Sequence, residues 1–171
     1  VQPAAYGTEP IRIVEYAERL FTEGQRAVGI HASSFDRVVV VFDRDEHHTY
    51  LPALQRVAAL NGRLENDERV KVPFEAVVSV PCFELWLLLH FEDVFAPLSR
   101  DEALARLRAH LAGYGKGQGS HWVVTRERLD VATARATALM AAGHTAEDGT
   151  HPYTNMHELV HCLLHLKDQA A

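Results

Sequence analysis

Three carboxylates and two imidazoles crowd into Asp43-Arg44-Asp45-Glu46-His47-His48, directly after the apolar run Val38-Val39-Val40-Val41-Phe42. In an open parallel sheet, ligands gather at the carboxyl ends of the strands. Asp43 falls at such an end. Asp45, two residues on, projects to the same side if the backbone stays extended. Two neighbouring carboxylates raise each other's proton affinity unless a cation sits between them. Oxygen-only ligation with open positions suits Mg²⁺ or Mn²⁺, and such an ion can activate water and neutralise a phosphodiester. Asp43 and Asp45 are therefore candidate metal ligands for phosphoryl transfer. The same residues also fit a solvated acidic loop, and Asp45 or Glu46 fits a cap for a helix starting near Thr49. His47 and His48 offer softer donors, but no second His or Cys follows at a zinc-finger spacing.

Ser79-Val80-Pro81-Cys82-Phe83-Glu84 leads from a strand-like run into the apolar Leu85-Trp86-Leu87-Leu88-Leu89-His90. Glu84 falls in the first turn of the expected helix, whose positive end favours the charged carboxylate. There it is a candidate third metal ligand and catalytic group, and His90, near the helix end, is a candidate catalytic group. Both also fit as ordinary dipole-favoured residues. Lys116 lies in Gly113-Tyr114-Gly115-Lys116-Gly117-Gln118. On such a loop it can reach a phosphate, and it also fits a surface lysine. With no strand ahead of it the loop is not a familiar phosphate loop. His157, His161 and His165 recur every four residues and share one helix face, as a transition-metal set or as a polar face.

The elements that must position these groups are α/β in pattern. Ile11, Val14, Ala17, Leu20 and Phe21 make a helical stripe between Pro10 and Gly24. The unbroken valine run predicts a strand buried on both faces. Leu51, Leu54, Val57 and Ala58 keep helical spacing up to Asn61-Gly62, and a second strand is predicted within Val72–Pro81. Helix, strand, helix, strand implies a parallel sheet flanked by helices. Beyond Pro81 the pattern is helical: Cys82–Phe95, Ser99–Tyr114, Arg126–Gly143 and Tyr153–Leu166. Ser99 with Glu102 forms a capping box, and Thr125 and Thr154 are further candidate caps. The organisation expected is an α/β core over residues 1–80 and a helical part over 81–171.

The totals constrain function only loosely. The 171 residues, 47% hydrophobic and 23% charged, describe an ordinary globular protein. A net charge of -6 does not advertise nucleic-acid binding, although an acidic site that first binds divalent cations can still act on phosphates. Cys82 and Cys162 read as buried thiols of a reducing compartment. The longest apolar stretch is too short to cross a bilayer, and no signal peptide is visible, so a cytoplasmic protein is expected.

Taken together, Val39–His47, Ser79–Glu92, Gly113–Lys116 and His151–Leu164 resemble the RloB family, whose genes lie near restriction and phage-defence genes in prokaryotes. Pro81-Cys82-Phe83-Glu84-Leu85-Trp86 with Leu87–Glu92 is the most specific part of this likeness. The resemblance implies a TOPRIM-type fold, related to topoisomerases, primases and overcoming-lysogenization-defect nucleases. It implies Mg²⁺ or Mn²⁺ on Asp43 and Asp45, and it places Glu84, His90 and Lys116 in family motifs. The closing motif often reads Asn-Pro-x-Thr, here His151-Pro152-Tyr153-Thr154. A TOPRIM domain begins with a strand ending in a catalytic glutamate. Tyr6–Ala17 matches the segment after that strand, so Glu9 does not take the role and the strand is expected to lie outside the chain. The expected function is a metal-dependent nuclease or nuclease-like effector of phage defence, acting on DNA or RNA, with a homo-oligomer compatible. The alternatives are a non-catalytic partner of a defence ATPase, favoured by the acidic total, and a phosphotransferase or nucleotide-binding domain using the same metal.

Overall fold

The computed structural model describes residues 9–115 and 121–166. The fold is α/β, with a small three-stranded mixed sheet flanked by helices and strand order β1-β2-β3. Strand β1 is Val38–Asp43, β2 is Phe74–Val80 and β3 is Tyr153–Thr154. Val38 N–H donates to the Pro73 carbonyl and Arg44 N–H to that of Ser79, so donor and acceptor advance together and β1 and β2 run parallel. β3 runs antiparallel to β2, with Ser79 opposite Thr154 and Val80 opposite Tyr153. The mostly parallel sheet expected from the sequence is thus corrected to a mixed one. Tyr153-Thr154, expected to open a helix, instead pairs with β2.

The chain divides into two compact units. The first comprises the described residues up to Phe42 together with Glu46–Val77. Its helices are α1, Pro10–Glu23, and α2, Tyr50–Leu60. Pro10 at the first turn costs no hydrogen bond there. Gly24 ends α1 at φ 71°, where a Cβ would stand 2.7 Å from the Ile30 carbonyl oxygen, so a side chain is excluded twice over. Val14, Phe21, Val40, Phe42, Ala53, Val57 and Phe74 form the core of this unit. Arg56 grips both carboxylate oxygens of Glu18, joining α2 to α1. Valine continuity did not mean burial on both faces: Val40 and Phe42 are buried but Val41 is 43% exposed.

The second unit comprises Asp43–Asp45 and the described residues from Val78 onward. Its helices are α3, Glu84–Leu88; α4, Arg100–His110; α5, Trp122–Thr125; α6, Leu129–Ala141; and α7, Met156–Leu164. The capping box is present: the Ser99 side chain accepts from Glu102 N–H and the Glu102 carboxylate from Ser99 N–H. Thr154 Oγ1 accepts from Met156 N–H at the start of α7 and bonds Ser79 Oγ at 3.0 Å. Thr125 does not cap α6; its hydroxyl donates back to the His121 carbonyl.

The long helix expected from Cys82 is only five residues, and carbonyls at its end bond side chains. The Trp86 carbonyl is taken by the His90 ring, and the Leu89 carbonyl by the Arg135 guanidinium at 2.9 Å. His90 N–H meanwhile turns to Leu87. Everything from Leu85 to His90 is buried, so α3 is the hub of this unit's core. Among the described residues no helix is long and apolar enough to cross a membrane.

Candidate functional site

β1 delivers Asp43 to its carboxyl end, and the ladder with the β2 segment continues past it. Asp45 N–H donates to the Pro81 carbonyl at 2.8 Å, which holds the Asp43–Asp45 turn beside the approach to Glu84. The chain does not stay extended for the step to Asp45, as the sequence reading assumed: Asp45 sits at φ 36°, in the left-handed region. Arg44 secures this turn by donating to the Asp45 carbonyl at 2.7 Å. The Asp45 side chain is 15% exposed, and its Oδ2 accepts from Arg100 at 3.2 Å at the start of α4. Its Oδ1 is buried without a hydrogen-bond partner among the described residues. Asp45 and Glu46 do not cap α2; Thr49 precedes that helix, and its own hydroxyl makes no capping bond.

Glu84 is 1% exposed. Tyr114 donates its hydroxyl to Glu84 Oε1 at 3.1 Å, and the Cys82 thiol also bonds this carboxylate. Burial pushes the Cys82 thiol well up from its ordinary range, with the Glu84 and Asp43 charges adding to it. Tyr114 is raised by the same causes, burial first. At neutral pH both are therefore proton donors to Glu84 rather than nucleophiles. That Cys82 and Tyr114 both sense Asp43 places its charge in the same neighbourhood as Glu84.

A cavity of about 620 Å³ opens beside this cluster within the same unit. Phe83, Trp86 and Trp122 give it flat apolar walls, and Glu84, Tyr114, His90 and His121 give it polar ones. His90 is 1% exposed, packs edge-on against Trp86, and engages the Trp86 carbonyl through Nδ1. A carbonyl accepts only, so Nδ1 carries the proton and Nε2 the lone pair. Burial pushes the His90 pKa down. The His121 ring lies 4.9 Å from that of Tyr114, and its Nε2 is buried without a hydrogen-bond partner among the described residues.

Against known families, a family model described as RloB-like protein matches residues 1–163. The chain belongs to the RloB-like family. Comparison with curated proteins and with solved structures gave no match. The match to the RloB-like family spans every residue of the cluster and of the cavity.

Of the residues picked from the sequence of this RloB-like chain, Glu84 and His90 face one cavity, while Asp45 is drawn toward Arg100. Lys116 lies outside the described residues. The histidine face of α7 resolves differently from a metal set. His165 turns its ring to the His161 carbonyl, and among the described residues no group of three or more His, Cys, Asp or Glu is placed to hold a metal. Sequence reasoning missed Arg100, His121 and the anchoring of Glu84 by Tyr114. The one available signal was a tyrosine set among glycines just ahead of Lys116.

Proposed function

We propose that the chain is a metal-dependent nuclease, or nuclease-like effector, of prokaryotic phage defence, built on a TOPRIM-like frame and cleaving phosphodiesters of nucleic acid in the cytoplasm. The observation that carries the reading is the buried Asp45 Oδ1, which has no hydrogen-bond partner among the described residues, at the end of β1 and beside Asp43. A hard cation satisfies such an oxygen. Mg²⁺ is commonly held by one or two carboxylates, with water and substrate phosphate completing the shell, so a pair of aspartates fits it without a third protein ligand. Asp43 and Asp45 would hold Mg²⁺ or Mn²⁺, which supplies charge neutralisation and an acidified water.

The chain's own residues do the rest. Arg100 offsets the Asp45 charge and can swing its guanidinium to a phosphate oxygen, a geometry it matches bidentately. Glu84, held by Tyr114 and Cys82 and lining the cavity, would act on the substrate side of the site. The test is cleavage of single- and double-stranded DNA and RNA with Mn²⁺, lost in Asp43→Asn.

A second reading, a non-catalytic partner of a defence ATPase, is favoured by the Arg100–Asp45 pair, which already compensates one of the two acids. Tight co-purification with an ATPase and no metal-dependent cleavage supports that reading.

A further inference from the structure

We propose that the cavity bounded by Glu84, Tyr114 and His121 is a base-reading pocket that takes a guanine of the nucleic acid. The inference deepens the nuclease reading and rests on it only for the polymer that carries the base. At about 620 Å³ the cavity is of ligand size. Aromatic rings line it: Phe83 and Trp122 are exposed and available for a base to stack on, and Trp86 lies buried. Enzymes that read an extruded base combine such stacking with hydrogen bonds to its Watson–Crick edge.

The polar groups select the edge. Guanine presents, in a row, a keto oxygen, an imino N–H and an amino N–H. A carboxylate pairs with adjacent N–H donors, as Asp and Glu do with base amines. Glu84 is such a carboxylate, 1% exposed and fixed in place by the Tyr114 hydroxyl. A carboxylate offers about four lone-pair positions, so it can take donors beside that hydroxyl and the Cys82 thiol. The His121 ring lies 4.9 Å from that of Tyr114, and its Nε2 is buried without a hydrogen-bond partner among the described residues. Its N–H tautomer donates to the keto oxygen. Uracil and thymine place keto oxygens on both sides of their imino N–H and would set one against Glu84. Adenine lacks the imino donor.

Both tryptophans of the chain line the cavity, so their fluorescence reports its occupancy directly. The probes are GMP, IMP, AMP and UMP, titrated in EDTA so that no metal contributes. Saturable quenching by GMP, at least tenfold weaker with IMP, is expected, because IMP differs only by the amine. Glu84→Gln should weaken GMP by at least tenfold, and the GMP–IMP comparison in the native chain stands even if that variant does not fold. Equal quenching by GMP and IMP, or no saturable quenching by any of the four, overturns the proposal. GMP binding without cleavage supports the pocket and defeats the nuclease reading. Metal-dependent cleavage without GMP binding does the reverse.

Discussion

Tyr114 and Glu84 meet 3.1 Å apart inside the protein, the phenol donating to a carboxylate that solvent barely reaches. Removing one partner of a buried charged hydrogen bond leaves the other short of a donor, at a cost of about 1–3 kcal/mol. Tyr114→Phe keeps the ring and removes only the hydroxyl. Urea unfolding followed by circular dichroism should show a loss of that size. An unchanged midpoint would mean that the bond contributes nothing to stability.

Arg100 and Asp45 make a different kind of pair. The Arg100 side chain is 48% exposed, so solvent screens it and its removal should change stability by less than about 1 kcal/mol. Its charge, however, opposes a cation at Asp45. Arg100→Gln should therefore bind Mn²⁺ a few-fold more tightly by calorimetry. Weaker binding in this variant would show that Arg100 does not compete with the ion.

His90 sets a pH dependence. Burial first, then the charges of Arg128 and Arg135, lower its pKa from 6.5, against the two backbone carbonyl bonds that raise it. The unfolded chain then takes up a proton that the folded chain resists. The stabilising effect is complete above about pH 6.5 and is lost as pH falls toward the depressed folded value. Urea midpoints at pH 7.5 and pH 5.5 should differ, with the lower pH less stable, and His90→Gln should flatten the difference. His157, lowered mainly by burial, keeps part of the slope in that variant.

Ser99 caps α4 through a reciprocal pair of bonds with Glu102. Ser99→Ala should cost about 1 kcal/mol by urea unfolding. A neutral result would mean that another group takes over the freed Glu102 N–H.

What the sequence disclosed was local. Pro10 and Gly24 bracket a periodic stripe, Ser99 and Glu102 sit at capping distance, and the valine run ends in acids; each needs only its neighbours in sequence. What it withheld depends on distant partners. Arg135, from α6, takes the Leu89 carbonyl just past the end of α3. β3 exists because Thr154 finds Ser79 across the sheet. Glu84 owes its anchoring to a tyrosine thirty residues further on. The outward Val41 shows that an unbroken β-branched run does not fix which faces are covered. The left-handed turn at Asp45 was equally hidden, because aspartate enters that region more readily than most residues but nothing nearby required it.

On the proposed reading, Asp43 and Asp45 together hold a divalent cation that cuts nucleic acid. It is tested most directly by incubating the native chain, Asp43→Asn and Asp45→Asn with labelled DNA and RNA in Mn²⁺, with circular dichroism confirming that all three fold alike. Cleavage by the native chain alone, abolished by EDTA, is expected. Cleavage by either variant at the native rate, or none by the native chain on any substrate, contradicts it.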